Sequence, residues 1–317
     1  MVGISISKIY KGIALSSPRI EVFLRQLYWK NVDRLGKFNP HKGNKTDKSS
    51  QNNKVDFDEV IKYLQDNGVG NGSILIVHSS YEALMSTGLQ PQDIINRLLD
   101  LVGEDGTLAM PAIRKFKGLP KMRTDEDELE QEYIYNTRTT KLSSGVLPCC
   151  MLMREDSEIS RFPLNPLVAI GKNAKEMMIH NIDGNLPSPH GKDSAWKYCH
   201  DHQAIVIGLG VTLEHYNTMI HVAEEAFGKW NWPSEKWFKK RRFLIEDGDF
   251  KQSIIVRDRK PSWGHLHFAE MNLWKDLTKE GIVKTTVFNN VLPLSIEKAD
   301  RLVSFLRNKN RKGYPYF

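Results

Sequence analysis

The sequence predicts an α/β fold in which a mostly parallel central sheet is flanked by helices. Residues 74–78 are an apolar run that is too short for a helix and has the composition of a buried strand. Residues 91–102 are amphipathic, with Pro91 suited to a first helical turn, and residues 107–111 form a second apolar run. A strand, a helix and a strand in this order are typical of parallel strands joined by a right-handed crossover.

The other elements follow from the same periodicity rules. A helix over residues 56–65 precedes the first strand, and the charged residues 114–140 are predicted to be a solvated insertion. The apolar residues 204–210 end in glycines and are predicted to be the central strand. The remaining predicted elements are helices at 142–153, 195–200, 269–280 and 295–308, a short strand ending at 171, and an antiparallel pair at 243–245 and 253–257.

The net charge of +7 is confined to the beginning of the chain. Residues 1–50 contain ten Lys or Arg and three Asp or Glu, so the remaining residues sum to zero. We therefore predict a basic N-terminal arm and linker over residues 1–54 and a catalytic domain over residues 55–317, and we expect no nucleic-acid partner for the neutral domain. The apolar clusters of residues 1–40 leave two alternatives: contact with an anionic membrane surface, or packing on the domain or on a second subunit of a homo-oligomer.

Composition narrows the class of protein. The 317 residues are 40% hydrophobic and 26% charged, as in soluble globular proteins, and contain no apolar run of transmembrane length. The N-terminus lacks a signal-peptide pattern because Lys8 and Lys11 interrupt it. Cys149, Cys150 and Cys199 are unevenly spaced and form no CxxC, so we expect neither a disulfide framework nor a metal site, and we predict a cytoplasmic protein.

The segment after the central strand carries the candidate catalytic residues. Asn217 or Thr218 can cap a helix on which His221 and Glu224, three residues apart, share one face. A turn from strand to helix places such side chains in the crevice where α/β proteins bind ligands. A neutral imidazole there can take a proton from an incoming amine or hydroxyl. The alternative is an ordinary helix-terminal histidine beside a solvated glutamate.

Three loops carry hydroxyl groups next to strands or helices. They contain Ser79 with Ser80, Ser143 with Ser144, and Lys192 with Ser194. Hydroxyls and free backbone N–H groups at helix starts bind phosphate oxygens, although serine is also a common helix cap. The chain has no Walker A motif, no GxGxxG after the first strand and no GxSxG, which weakens nucleotide hydrolysis, dinucleotide redox chemistry and an α/β-hydrolase.

Six segments in order resemble the aminoglycoside 3-N-acetyltransferase family, which is distinct from the GNAT acetyltransferases. The segments GSILIVHSS and LVGEDGTLAMP are similar to the family's "GDTLLVHSS" and "LGPDGTLVMP", and NTMIHVAE is similar to "NTxxHxAE". The other three are YNTRTTKLSSGVL at 135–147, RFPLNPLVAIG at 161–171 and the loop 187–194. Asn165 stands where the family motif has histidine, and Lys141 where it has proline.

The resemblance implies a three-layer α/β/α sandwich that transfers an acetyl group from acetyl-CoA directly to the amine of an amino sugar, without a metal. It assigns the general base to His221, with Glu224 polarising the imidazole or the amine. The pantetheine and phosphates of acetyl-CoA are then expected at Ser79, Ser80, Ser143, Ser144 and Ser194, and we add Arg161 and Lys192 as charges for the diphosphate. We expect the acceptor, a small molecule, at Asn217, Glu225 and His190.

The acceptor is the least defined part of the prediction. Acids at 125–132 suit a polycationic aminoglycoside, whereas the aromatic and basic residues at 229–242 suit a phosphate-bearing ligand. We therefore favour an amino sugar on a nucleotide or a surface-polysaccharide precursor. The alternatives are an aminoglycoside antibiotic and a non-catalytic module that binds an acyl or sugar ligand. His190, in a Pro/Gly loop, is the rival base, and a cysteine nucleophile is disfavoured because no base is near in sequence.

Overall fold

The computed structural model describes residues 6–31, 53–118, 124–228, 234–311 and 313–316. Much of the predicted linker and part of the basic stretch at 229–242 therefore lie outside the described residues. The described α-helices are α1 (Ile6–Ala14), α2 (Pro18–Lys30), α3 (Phe57–Asp66), α4 (Tyr81–Leu84), α5 (Pro91–Val102), α6 (Val146–Leu152), α7 (Ala174–Met178), α8 (Ala195–Asp201), α9 (Val222–Glu225), α10 (Pro261–Leu266), α11 (Glu270–Lys279) and α12 (Ala299–Asn310).

Ten described strands form two sheets. The seven-stranded central sheet has the order β4-β5-β2-β1-β6-β10-β9, and a three-stranded sheet has the order β3-β7-β8. The strands are β1 (Ile74–Ser79), β2 (Thr107–Pro111), β3 (Glu128–Asn136), β4 (Glu158–Ile159), β5 (Leu167–Gly171), β6 (Ile205–Leu209), β7 (Phe238–Asp247), β8 (Phe250–Arg259), β9 (Val283–Phe288) and β10 (Leu292–Lys298).

Helices cover both faces of the central sheet, as the predicted three-layer α/β/α sandwich requires. Alternate side chains of β1 enter opposite cores: Ile74 and Ile76 pack with residues of α8, α11 and α12, whereas Leu75 and Val77 pack with residues of α3 and α5. This alternation follows from the two-residue period of a strand. The sandwich is therefore confirmed, with apolar layers on both sides of the sheet.

The prediction of a mostly parallel sheet is wrong outside its centre. β1 runs parallel to β2 and to β6, whereas the other four pairings of neighbouring strands in the central sheet are antiparallel. The strand–helix–strand pattern correctly indicated the crossover from β1 to β2. At one edge the reason is a short connection: Asn289 and Asn290, both with positive φ, form the turn that joins β9 to β10 as an antiparallel hairpin. Residues 295–298, predicted as helix, belong to β10.

The second sheet corrects the predicted solvated insertion. β3, which lies within residues 114–140, pairs in parallel with β7, and β7 pairs with β8 in the predicted antiparallel hairpin. Tyr133 and Tyr135 are buried against Phe243, while their neighbour Ile134 is exposed. The many acids of this segment hid its strand alternation from the sequence analysis, and the sheet forms its own small core beside the sandwich.

The two N-terminal helices lie on the body. Glu21 and Arg25 of α2 are buried, and both contact residues of the α10–α11 region. This arrangement corresponds to the packing alternative for the arm. On its other side α2 exposes Ile20, Phe23 and Leu27, so contact with a membrane or a second subunit stays a prediction for that face. Among the described helices, none has the length and hydropathy needed to cross a bilayer.

Gly208 in β6 provides a test of the packing between β6 and β10. A Cβ at this position would lie 2.5 Å from the carbonyl oxygen of Val211 and 2.6 Å from Ser295 Oγ. We expect Gly208→Ala to lower the free energy of unfolding by about 1–3 kcal/mol, because the added Cβ would displace the Val211 carbonyl in the turn after β6 and the Ser295 hydroxyl of β10. Urea denaturation measures this, with Gly12→Ala in α1 as the control, since a Cβ there meets nothing within 4 Å. An equal stability of the two variants would contradict the packing.

Candidate active site

A cavity of about 890 Å³ opens at the carboxyl ends of the three parallel strands. Ser79 and Ser80 line it at the end of β1, Pro111 at the end of β2, and Val211 just after β6. Its opposite wall comes from α10 and α11, through Trp263, Gly264, Phe268, Glu270, Leu273, Trp274 and Leu277. We call this space the main cavity. Its position is the one at which parallel α/β sheets bind ligands, because strand ends and loops converge there.

Four of the predicted cofactor-binding residues line the main cavity: Ser79, Ser80, Ser143 and Ser144. Ser143 Oγ donates a hydrogen bond to the carbonyl oxygen of Ile113 at 3.1 Å, and the amide N–H of Ile113 donates to Ser144 Oγ at 3.1 Å. These bonds fix the loop before α6 against the segment that follows β2. The two predicted serine pairs, 79–80 and 143–144, thus line one cavity although more than sixty residues separate them in the chain.

Three other predicted cofactor-binding residues lie elsewhere. Ser194 caps α8, because its Oγ accepts from the amide of Lys197 at 3.1 Å and donates to the Gly191 carbonyl at 2.7 Å. Arg161 pairs with Asp247 at 2.7 Å in the second sheet, and Lys192 is exposed. None of the three lines the main cavity. Their assignment to acetyl-CoA therefore stays a prediction: one is a helix cap and two are surface cations, away from the four serines that line the main cavity.

His221 occupies the junction between a 3₁₀ turn, Thr218–His221, and the short helix α9. It lines the main cavity and also a second cavity of about 250 Å³, which contains His190, Glu225 and Arg259. Its Nδ1 lies 3.6 Å from Glu224 Oε2, so the two side chains share a face as predicted, at a distance longer than a formed hydrogen bond. His221 is therefore the predicted residue that faces both spaces.

The imidazole of His221 is neutral near pH 7. Its pKa is lowered to about 4, first by burial and then by the charge of Arg259, while Glu224 acts in the opposite direction. His78, at the end of β1, is a second buried histidine of the main cavity, and burial lowers its pKa to about 4 as well. Both rings are thus held without charge inside the protein.

Arg259 links the two consecutive acids of α9. Its NH2 lies 2.6 Å from Glu224 Oε2 and 2.7 Å from Glu225 Oε1, and its guanidinium stacks over the Trp263 ring at 4.4 Å. Burial opposes ionisation of Glu225, but the charges of His190 and Arg259 overcome it and hold its pKa below the ordinary range. Arg259 could not be predicted from the sequence, because this residue lies at the end of β8, 34 residues from Glu225, with no local motif around it.

His190 is held in place by its neighbours. Its Nδ1 is 3.1 Å from Glu225 Oε1, its backbone N–H donates to Glu225 Oε2 at 3.1 Å, and its Nε2 is 3.3 Å from Asn165 Nδ2. Both ring nitrogens are therefore engaged, which removes the mobile-loop argument for His190 as the rival base. With Glu225 it lines the second cavity, next to His221 at 5.1 Å between ring centroids.

Asn217, the third residue predicted to bind the acceptor, lines the main cavity. It lies beside Glu297 of β10, a buried acid. Burial raises the pKa of Glu297 to about 8, and Asn217 opposes this shift. Glu297 is therefore a neutral acid near pH 7 at the base of the 3₁₀ turn that carries His221.

The charged side chains that line the main cavity are acids. Glu82, Glu214 and Glu270 are among its lining residues, and these lining residues include no Lys or Arg. The three cysteines do not line it either, and burial raises the pKa of Cys150 and Cys199. Within the described ranges, no group of three His, Cys, Asp or Glu is arranged to hold a metal ion.

The acidic residues at 125–132 and the basic residues at 229–242, which suggested different acceptors, contribute to the neighbouring strands β3 and β7. Glu128 of β3 pairs with Lys239 and Arg241 of β7, and Arg241 also pairs with Asp258 at 3.1 Å. Burial opposes ionisation of Glu128, yet the hydrogen bonds from Lys239, Tyr133 and Arg241 lower its pKa to about 2. These charges stabilise the second sheet, and none of the acids at 125–132 lines the main cavity.

A buried histidine–glutamate pair beside a cavity walled by serines at a parallel sheet edge defines a candidate transferase site. A family sequence profile described as Aminoglycoside 3-N-acetyltransferase matches residues 76–308. The chain belongs to this family, which confirms the predicted acyltransferase class. It is 27% identical over 217 residues to aminoglycoside N(3)-acetyltransferase IX of Micromonospora chalcea, which covers 62% of this chain and 76% of that protein.

Solved structures support the fold. The crystal structure of aminoglycoside acetyltransferase AAC(3)-Xa superposes with a TM-score of 0.66 at 21% identity, over 83% of this chain and 95% of that one. AAC-IIIb, solved as a binary complex with CoASH, superposes with a TM-score of 0.62 at 16% identity, over 82% and 97% of the two chains. Both confirm a central sheet flanked by helices.

The neutral histidines make stability depend on pH in a defined window. The unfolded chain binds a proton on each imidazole near pH 6.5, whereas native His78 and His221 bind one only near pH 4. Stability is therefore expected to fall as the pH drops below about 6.5. Urea denaturation at pH 7 and pH 5 measures this loss, and His221→Gln should lose less than the wild type.

The control is His202→Gln, because His202 is exposed at the end of α8. It should show the same loss between pH 7 and pH 5 as the wild type. A loss in His221→Gln as large as in the wild type would contradict the neutral, buried state of His221.

Proposed function

We propose that the protein transfers an acetyl group from acetyl-CoA to an amine of an aminoglycoside or a closely related polycationic amino sugar. The observation that carries this proposal is the main cavity: His221 lies in its wall, and Glu82, Glu214 and Glu270 are its charged lining residues without Lys or Arg among them. An acidic lining attracts a cationic acceptor. Membership of the family and the name of the Micromonospora relative support the same acceptor class.

His221 acts as the general base in this proposal. Glu224 lies beside Nδ1, which favours the tautomer with the proton on Nδ1 and leaves Nε2 as the acceptor. An amine is mostly protonated near pH 7, so a proton must leave before nitrogen can attack. Because burial and Arg259 keep His221 neutral, its imidazole is available throughout the physiological pH range.

The reaction is a direct transfer. The amine nitrogen forms a bond to the thioester carbonyl carbon of acetyl-CoA, the carbon–sulphur bond breaks, the amine proton moves to His221, and the CoA sulphur leaves as thiolate and is then protonated. Ser79, Ser80, Ser143 and Ser144 form the wall at the sheet edge, and we assign the pantetheine arm to that wall. An acyl-enzyme on cysteine is not favoured, since the cysteines lie outside the cavity lining.

A nucleotide-linked or polysaccharide-linked amino sugar receives less support. The expectation was based on the basic residues at 229–242, but Lys239 and Arg241 are neutralised by Glu128 and Asp258. Arg241 lines the second cavity and not the main one, and there it pairs with Asp258. The structure therefore favours the polycationic acceptor.

The role of His221 is tested by His221→Gln, which keeps a side chain of similar size but removes the base. The acceptor in this assay is sisomicin, an aminoglycoside. We expect kcat for thiol release from acetyl-CoA to fall about 100- to 10,000-fold, the usual contribution of a general base. Binding of acetyl-CoA, measured by calorimetry, should change little. His202→Gln is the matched control and should retain wild-type turnover. Undiminished turnover of His221→Gln would overturn the assignment.

The acceptor class is tested by charge. We expect the wild type to release thiol with sisomicin or apramycin and not with UDP-glucosamine, an anionic amino sugar. Glu82→Gln and Glu214→Gln should each raise KM for sisomicin, by about fivefold to tenfold for the loss of one charged contact, and leave KM for acetyl-CoA unchanged. Turnover of UDP-glucosamine alone would restore the nucleotide-linked acceptor.

A further inference from the structure

The N-terminal helix α2 contacts the wall of the main cavity through two buried charged residues. Glu21 and Arg25 are one helical turn apart and lie 3.4 Å from each other, at Glu21 Oε1 and Arg25 Nε. Their side chains are 0% and 5% exposed. Charged side chains are rarely buried to this extent unless they have partners. Both of them find partners in the α10–α11 region.

Glu21 caps helix α11 from outside. Its carboxylate accepts hydrogen bonds from the backbone N–H groups of Met271 and Asn272, each at 2.9 Å, which are the second and third residues of α11. Asn272 Nδ2 adds a bond to Glu21 at 2.7 Å and one to the Ala14 carbonyl at 2.9 Å. The first N–H groups of a helix have no partner within the helix and favour a negative charge. Helix α2 thus sets where α11 begins.

Arg25 extends from the same face of α2 to two residues that line the main cavity. Its NH1 donates to the carbonyl of Gly264 at 3.0 Å, and its NH2 donates to Glu270 Oε2 at 2.8 Å. Gly264 belongs to α10, and Glu270 is the first residue of α11. One guanidinium therefore joins two elements of the cavity wall. Arginine suits this role because its planar group donates in fixed directions.

Glu270 also contacts His215, an exposed histidine. Its other oxygen, Oε1, lies 3.3 Å from Nδ1 of His215, and the His215 side chain is 48% exposed and lines the main cavity. The hydrogen bond to Glu270 raises the pKa of His215, against the effect of burial. The chain of contacts therefore runs from Arg25 through Glu270 to an imidazole that a ligand in the cavity can touch.

We propose that Arg25 is a positioning residue for the acceptor: it holds Glu270, which holds the His215 imidazole, and the Glu270–His215 pair takes a hydroxyl group of the amino sugar. This inference rests on the proposed acceptor class. Because Arg25 pairs with Glu270 at 2.8 Å, this acid is compensated and suits a neutral hydroxyl, whereas Glu82 and Glu214 suit the ammonium groups. Helix α2 lies outside residues 76–308, so this chain adds the residue from beyond the family-matched region.

The test compares Arg25→Met, Arg25→Lys and the control Lys275→Met. Lys275 also joins α11 to the arm, through the Leu15 carbonyl at 2.8 Å, but does not line the cavity. We expect Arg25→Met to raise KM for sisomicin about tenfold, which corresponds to one hydrogen bond of about 1.4 kcal/mol, and to leave KM for acetyl-CoA within twofold. Arg25→Lys should be intermediate, and Lys275→Met should match the wild type.

A second readout does not depend on turnover. In Arg25→Met, the pKa of His215 followed by NMR in the free protein should fall towards 6.5, because a released Glu270 no longer supports the imidazolium. If Arg25 acts by charge alone, its loss must raise that pKa instead, since Arg25 itself lowers it. A rise, or an unchanged KM for sisomicin, would overturn the proposal.

Two outcomes are kept distinct by these measurements. Absence of thiol release by the wild type with every acceptor would remove the proposed function, while the His215 titration would still decide whether Arg25 positions Glu270. If Arg25→Met does not fold, His215→Asn tests the pair directly, because the side chain is half exposed. It should raise KM for sisomicin without lowering the melting temperature, and an unchanged KM would contradict the role of the pair.

Discussion

The double contact of Arg259 with Glu224 and Glu225 is the constraint on which the candidate active site depends. The arginine comes from the end of β8 in the second sheet, and the two acids come from a helix of one turn. Through Glu225 it fixes His190, and through Glu224 it faces His221. A buried cation between two buried acids is costly to disrupt, because any single loss leaves an unpaired charge. The second sheet therefore contributes a residue to the candidate active site.

The same contact explains why His221 is neutral. If Glu224 were free, it would stabilise the imidazolium and raise the pKa of its neighbour. Because Arg259 lies against Glu224 and also acts on His221 directly, burial decides the outcome. The arrangement thus keeps the His221 imidazole unprotonated although an acid lies beside it.

Local patterns predicted the parts of the fold that are local. Residues 74–111 were placed correctly because the hydrophobic period within each segment decides between strand and helix. Residues 295–298 were predicted as helix but form part of β10. Their strand conformation depends on pairing with β6, more than eighty residues earlier, and the local sequence pattern does not show that pairing. The strand at 128–136 was hidden by its acids, whose partners, Lys239 and Arg241, come a hundred residues later.

The candidate site shows the same division. His221, Glu224 and the serine pairs were found because each lies within a short motif, and those motifs share one sheet edge. Ser194, predicted to bind a phosphate, caps α8 away from the main cavity; a helix cap and a phosphate ligand have the same appearance in sequence. Arg259, Arg25 and Glu270 had no such motif, since their roles arise only from contacts over long sequence separations. The charge counts also pointed to the wrong acceptor surface, because the acidic and basic stretches neutralise each other as the paired strands β3 and β7.

The hydrogen bonds from Glu21 of α2 to the first turn of α11 have a consequence for the order of folding during synthesis. Glu21 and Asn272 are 251 positions apart, so the N-terminal helix leaves the ribosome long before its partners exist. Until then the two charged groups of its buried face, Glu21 and Arg25, lack the partners that they have in the folded protein. Closing such a distant contact belongs to the last stages of folding, because a large loop must be closed for few new interactions. The wall of the cavity would therefore be completed only when nearly the whole polypeptide has been made.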